Sequence, residues 1–181
     1  MRLPVVAFTI FSLLCLAESS PINGTADLRI IKQITTEGGA SITTIYGGSG
    51  SPPATSKAIK ARQGDDDDDE EHDCGQNALS CDNKNLAKKI PCRQLVDYLR
   101  GADEWLPDNT QAICKTYRGS SCCVAWSELV PFHTAKKKTL WDAAEKTLTK
   151  CRGANTVSGK TSLTLIGDTC LEQCLSSKPS C

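Results

Sequence analysis

Cys122 and Cys123 stand side by side in GSSCCVAWSE, residues 119–128. Adjacent thiols invite a metal-binding or a disulfide reading, and the local pattern separates the two. The stretch has the look of a β-strand, and neighbours on a strand point to opposite faces of the sheet. Cys122 and Cys123 therefore cannot serve one site on one face. The chain has eleven cysteines. Cys15 falls in an apolar leader, and the other ten are Cys74, Cys81, Cys92, Cys114, Cys122, Cys123, Cys151, Cys170, Cys174 and Cys181. Paired Cys-x-x-Cys spacings are absent and the only histidines are His72 and His133, so zinc is not expected. An even number of cysteines behind a leader predicts a disulfide framework, whose pairing spacing alone does not fix.

Other residues could do chemistry or bind. Ser127 has no Gly-x-Ser-x-Gly elbow around it. His133, in PFHTAKKK, could work with Glu128 as an acid–base pair in a small secreted nuclease. With no second histidine in the cysteine-rich part, a loop histidine on a charged surface is the simpler reading. Trp105, Trp126 and Trp141 could form a sugar-stacking platform, but Trp126 and Trp141 fall on apolar faces. That leaves Trp105, in GADEWLPDN, as the exposed candidate. Lys136, Lys137 and Lys138 form a cationic run that could meet anionic lipid, wall polymer or nucleic acid. No aromatic residues interleave it, so nucleic-acid readout is not expected. The sequence implies no cofactor and no metal.

The elements that must position these groups begin after a leader. Met1-Arg2, an apolar run from Leu3 to Leu16 and small residues Cys15 and Ala17 predict a signal peptide over 1–17. The run is too short to span a bilayer. Residues 18–73 hold five basic against eleven acidic side chains, a net of −6, while residues 74–181 hold fifteen against ten, a net of +5. That asymmetry predicts a boundary near Asp73 between a pro-segment or linker and a cysteine-rich domain. Asn23-Gly-Thr25 is an N-glycosylation sequon. RIIKQITTEGGASITTIYGG, residues 29–48, places β-branched residues around Gly38-Gly39 and predicts a hairpin, which needs the main domain or a partner to be stable. A Gly/Ser/Pro-rich linker and the acidic run DDDDDEEHD follow. The run lacks the spaced ligands and turn glycine of a calcium loop, and reads as a solvated spacer or as a mask for the basic domain.

Within 74–181, Pro91 opens a helix whose Cys92, Leu95, Val96 and Leu99 share one face, and Gly101 ends it. Gln111–Tyr117 and Ser121–Ser127 predict two strands joined at Arg118-Gly119-Ser120. A second helix is expected over Leu140–Cys151, with a Thr139/Asp142 capping box and a stripe of Trp141, Ala144, Leu148 and Cys151. A strand over 161–167 precedes a short helix opened by Thr169-Cys-Leu-Glu172. With a short strand near 75–79, the order implies an α+β fold: a disulfide-rich split β-α-β sandwich, two helices on one face of an antiparallel sheet. Cys122, Val124 and Trp126 should face the core, so Cys122 should pair with Cys92 or Cys151. Cys123 should pair with neither, and should instead hold the chain ends through Cys74, Cys170, Cys174 or Cys181.

CRQLVDYL, CCVAWSE, LTKC, SGK and TCLEQCLSSKPSC together resemble the WD-like domain family of secreted fungal proteins, over roughly residues 74–181. That family is similar to small disulfide-rich effectors and killer toxins. The resemblance implies a secreted fungal protein and carries over no catalytic residues. The expected function is non-catalytic binding of a host or competitor target: a protein, a membrane surface or a wall polymer. The alternatives are a wall-associated or polysaccharide-binding protein and, third, the small nuclease.

Overall fold

The structure, a computed structural model, describes residues 29–36, 38–47 and 73–181. Asn23, the leader, the linker and the acidic run up to His72 lie outside the described residues. Nine strands and two helices follow in order: β1 Arg29–Thr36, β2 Ala40–Tyr46, β3 Ala78–Cys81, β4 Ala87–Lys88, α1 Lys89–Gly101, β5 Thr110–Tyr117, β6 Ser120–Trp126, α2 Trp141–Lys150, β7 Thr156–Val157, β8 Gly159–Ile166 and β9 Thr169–Ser176. A 3-10 turn, Lys137–Leu140, leads into α2. Seven strands form one antiparallel sheet in the order β1-β2-β5-β6-β9-β8-β3, and β4 pairs with β7. The fold is α+β and disulfide-rich, with both helices on one face of the sheet.

That face holds the main core. Leu95, Val96 and Leu99 of α1 and Ala144 and Leu148 of α2 meet Ile113, Val124, Trp126, Leu171 and Leu175 of the sheet. The helical spacing of the first set and the period-two spacing of the second deliver them to one layer. Trp126 is buried there as the strand alternation requires. The β5–β6 turn is Arg118-Gly119, with φ of 48° and 72°, the paired left-handed conformation of a tight hairpin. The opposite face carries a smaller cluster of Ile45, Ala112, Cys114, Cys123 and Ala125.

The adjacent cysteines are split between these two layers. Cys122 bonds Cys92 of α1 through the core. Cys123 bonds Cys114, directly opposite on β5, with Cα atoms 4.0 Å apart. The first pairing is one of the two expected. The second corrects the expectation that Cys123 holds the chain ends. A cross-strand neighbour on the same face lies closer than any terminus, and the expectation left Cys114 out. The ends have their own bridges, Cys74–Cys170 and Cys174–Cys181, and Cys151 reaches Cys81 on the edge strand rather than the central layer.

Four local expectations also need correction. Residues 169–176 form strand β9, not a helix. Leu171, Gln173 and Leu175 are buried on its core side, while Cys170 and Cys174 share the other. An i, i+4 pair shares a face under either period, so that spacing could not decide between them. No capping box forms at α2: Thr139 Oγ1 donates to Lys136 O, and Asp142 accepts from Asn77 Nδ2. Trp141 is half-buried, its ring under the Arg100 guanidinium at 5.2 Å. Pro91 sits third in α1 rather than first, still inside the turn whose N–H groups lack helical acceptors. The hairpin of residues 29–46 joins the sheet, with β2 running antiparallel along β5 from Ala40↔Tyr117 to Tyr46↔Thr110.

The bridges close loops of very different length, with sequence separations of 96, 30 and 9 for Cys74–Cys170, Cys92–Cys122 and Cys114–Cys123. Loop-closure entropy then sets their contributions at about 4.7, 3.6 and 2.6 kcal/mol. Replacing both cysteines of each pair by alanine should lower unfolding free energy in that order in urea titrations. The reverse order would show that local strain or packing, not chain entropy, governs the framework.

Candidate functional site

The loop from α1 to β5 and the loop from β6 to α2 are zipped together at one end of the sheet. Leu106 N donates to Ala135 O at 3.0 Å, Lys137 N to Glu104 O at 2.9 Å and Lys138 N to Ala102 O at 3.0 Å. Trp105 and Lys136 pair as an isolated antiparallel bridge. Extended segments alternate their side chains. Beside that bridge Leu106 and Ala135 turn inward and are buried while Trp105 turns outward, and where the 3-10 turn begins Lys137 is buried and Lys138 exposed. Gly167, in the β8–β9 turn, supports the second loop: a Cβ there would stand 2.8 Å from Thr134 O.

This alternation revises the lysine run, which the sequence presents as one cationic patch. Lys137 is buried, with its ammonium on Glu104 and, at 3.1 Å, on the Tyr98 hydroxyl. Burial alone would push that ammonium down, but the hydrogen bonds it donates to Glu104 and Tyr98 outweigh it and raise its pKa. Lys136 and Lys138 both reach Asp103. Hydrogen bonds from Lys138 and then Lys136 lower the Asp103 carboxyl from 3.8 to about 2. Glu104 is lowered too, first by its hydrogen bond from Lys137. All three lysines are thus matched to carboxylates of the facing loop.

What the zipped loops leave outside is aromatic and apolar. Trp105 is 48% exposed, Phe132 59% and Leu129 45%. His133 stacks on Phe132 with ring centroids 3.5 Å apart and lies tilted against Trp105 at 5.5 Å. It holds a φ of 56°, an uncommon conformation for a residue with a side chain. Lys136 Nζ lies 5.4 Å from the centre of the Trp105 ring. Beside the platform is a recess of about 370 Å³, lined by Asp108, Asn109, Leu129, Val130, Pro131 and Phe132. A cluster of exposed rings with an adjoining carboxylate and amide can bind a partner that offers both apolar area and hydrogen-bonding groups.

Trp105 and His133, noted separately in the sequence, come together here. His133 packs on rings, and no hydrogen bond joins it to Glu128 among the described residues. Phe132, Leu129, Asp108 and Asn109 escaped the sequence reading. A Phe beside a Pro in a loop was a visible signal, but nothing in the sequence placed it against Trp105. A larger recess, about 520 Å³, lies along the start of α1 between Lys88, Lys89, Arg93 and Asn155. Glu172, Cys174 and Cys181 also converge, but the two sulfurs are joined in a disulfide and offer no thiolate to a metal.

The carboxylates of the zipper give it an acid limit. A carboxyl lowered in the fold stabilises above its unfolded pKa and loses that contribution as pH falls through its folded value. For Asp103 the window runs from 3.8 down to about 2. Trp105 side-chain resonances should hold steady from neutral pH to about 4 and shift below it. A shift centred well above pH 4 would show that these carboxylates do not set the limit.

The Fungal WD-like family model matches residues 19–181, and the chain belongs to that family. The match takes in the sheet's N-terminal hairpin as well as the cysteine-rich part. No curated protein and no solved structure gives a match.

Proposed function

We propose that this member of the Fungal WD-like family is a secreted binding protein, effector- or toxin-like, that engages its target without catalysis through the Trp105–His133–Phe132 platform. The observation that carries the reading is this cluster of exposed rings on a stapled scaffold. Large apolar side chains are rarely gathered in solvent without a use, and aromatic residues dominate binding hot spots. The compensated lysines argue for contact through rings and recess rather than through net charge. Five disulfides fit an oxidising compartment, and no helix among the described residues is long and apolar enough to cross a membrane.

A second reading, a polysaccharide-binding protein of the cell wall, is favoured by one detail. Asp108 and Asn109 border the recess next to the exposed rings, as a sugar's hydroxyl groups would require. The oxidised protein should be applied to competing microbes, to plant tissue and to insoluble wall polysaccharide, in low and moderate salt. Trp105→Ala and Phe132→Ala together should weaken whichever binding is found by about 30-fold, the loss of one hot spot of about 2 kcal/mol. Growth inhibition or a host response supports the effector reading. Firm retention on polysaccharide without either supports the wall reading. Binding unaffected by the double variant and abolished by moderate salt would overturn both uses of the platform. Incubation with RNA, with His133→Ala as control, tests the nuclease alternative.

A further inference from the structure

The hairpin formed by β1 and β2 is the outermost pair of strands at one edge of the main sheet, yet no disulfide ties it there. All five disulfides join residues between Cys74 and Cys181, and residues 18–73 contain no cysteine. The hairpin's place in the sheet rests on β2 pairing with β5. Of its apolar side chains, Ile42 enters the main core and Ile45 enters the small cluster on the opposite face.

The edge that receives it is built differently. β5 is bonded to β6 through Cys114–Cys123, and β6 is bonded to α1 through Cys92–Cys122. These two bridges hold β5 in shape whether or not β2 is present. An edge so fixed presents its unpaired N–H and C=O groups as a template for one more extended strand.

The tether between the two parts is far longer than their separation requires. Gly47 is fixed beside β5, its N–H donating to Asn109 O at 2.7 Å, and Cys74 is bonded to Cys170 of β9. From β2 to β9 there are three strand spacings, about 14 Å. Residues 48–72, twenty-five in all, can span up to about 80 Å. A tether that exceeds its span lowers the effective concentration of the tethered strand and lets it reach a neighbouring molecule.

We propose that the hairpin Arg29–Tyr46 is an exchangeable strand donor whose alternative acceptor is the β5 edge of a second copy of this chain. Reciprocal exchange gives a closed, twofold dimer with the same β2–β5 register in both halves. The swapped and unswapped forms make the same strand contacts, so tether length and protein concentration set the balance between them.

The test has two arms. In the first, a protease site is placed within residues 50–60 of the full chain, which is folded, oxidised and then cut. Cut protein grown in heavy and in light isotopes is mixed and followed by native mass spectrometry. With equal amounts mixed, heavy hairpins should come to occupy about half of the light bodies, as mass action requires of equal donors, while tryptophan fluorescence stays native. Exchange that appears only when tryptophan fluorescence reports unfolding overturns the proposal. In the second arm residues 48–73 are deleted, which joins Gly47 directly to Cys74 and leaves about 4 Å to cross a span of about 14 Å, too short to close within one molecule. That variant should be dimeric by light scattering. A folded monomer carrying a native β2–β5 register overturns the proposal, and if the deletion prevents folding, the first arm decides alone.

Discussion

The bridge between Cys92 and Cys122 crosses from α1 to the sheet through a layer in which both residues are completely buried. It sets the distance between the helix layer and the sheet, and so the depth of the core that Leu95, Leu99, Val124 and Leu175 fill. Its neighbour on the chain does the complementary work. Cys123 bonds Cys114 on the other face, so β6 is stapled to the helix above it and to the strand beside it. Two consecutive residues can do this because a strand alternates its faces. A helix could not, since adjacent residues there stand only about 100° apart and do not face opposite sides. With its central hairpin fixed, the sheet can carry long loops at its end without depending on them for stability.

The same alternation governs those loops. Where Trp105 and Lys136 pair, Leu106 and Ala135 beside them are drawn inward, and Lys137 is buried after them as the 3-10 turn begins. One consequence is a lysine buried with its own carboxylate and phenol, and another is a tryptophan held out in solvent. The aromatic platform is the outward half of a ladder whose inward half is core. The ion pairs to Asp103 and Glu104 are exposed on the carboxylate side, where such pairs contribute modestly to stability. Their role is to hold the two loops in register and to offset two of the three charges of the lysine run.

Much of the fold was legible in the sequence where a single period ran long enough. The stripe from Cys92 to Leu99 and the alternation from Cys122 to Trp126 each specified an element and its buried face, and narrowed the partner of Cys122 to Cys92 or Cys151. The docking of the hairpin was readable only as a need, since two strands alone are marginal in water. Its acceptor could not be named from local pattern. Thr169–Ser176 was misread because four residues of spacing between Cys170 and Cys174 fit a helix and a strand equally. The site was less legible still. Trp105 and His133 lie far apart in sequence, and their meeting depends on a backbone ladder between two loops that carry no hydrophobic period. Lys137 is identical to its neighbours in type, and only its place on that ladder buries it.

The central claim is that β6 is stapled on both faces, each bridge on its own side. Mapping the disulfides of the oxidised protein tests it directly. Electron-transfer fragmentation of non-reduced peptides can separate the adjacent Cys122 and Cys123. The account predicts Cys92 bonded to Cys122 and Cys114 bonded to Cys123. Cys92 bonded to Cys123, with Cys114 on Cys122, would reverse the faces of the strand, turn Trp126 outward and contradict the account.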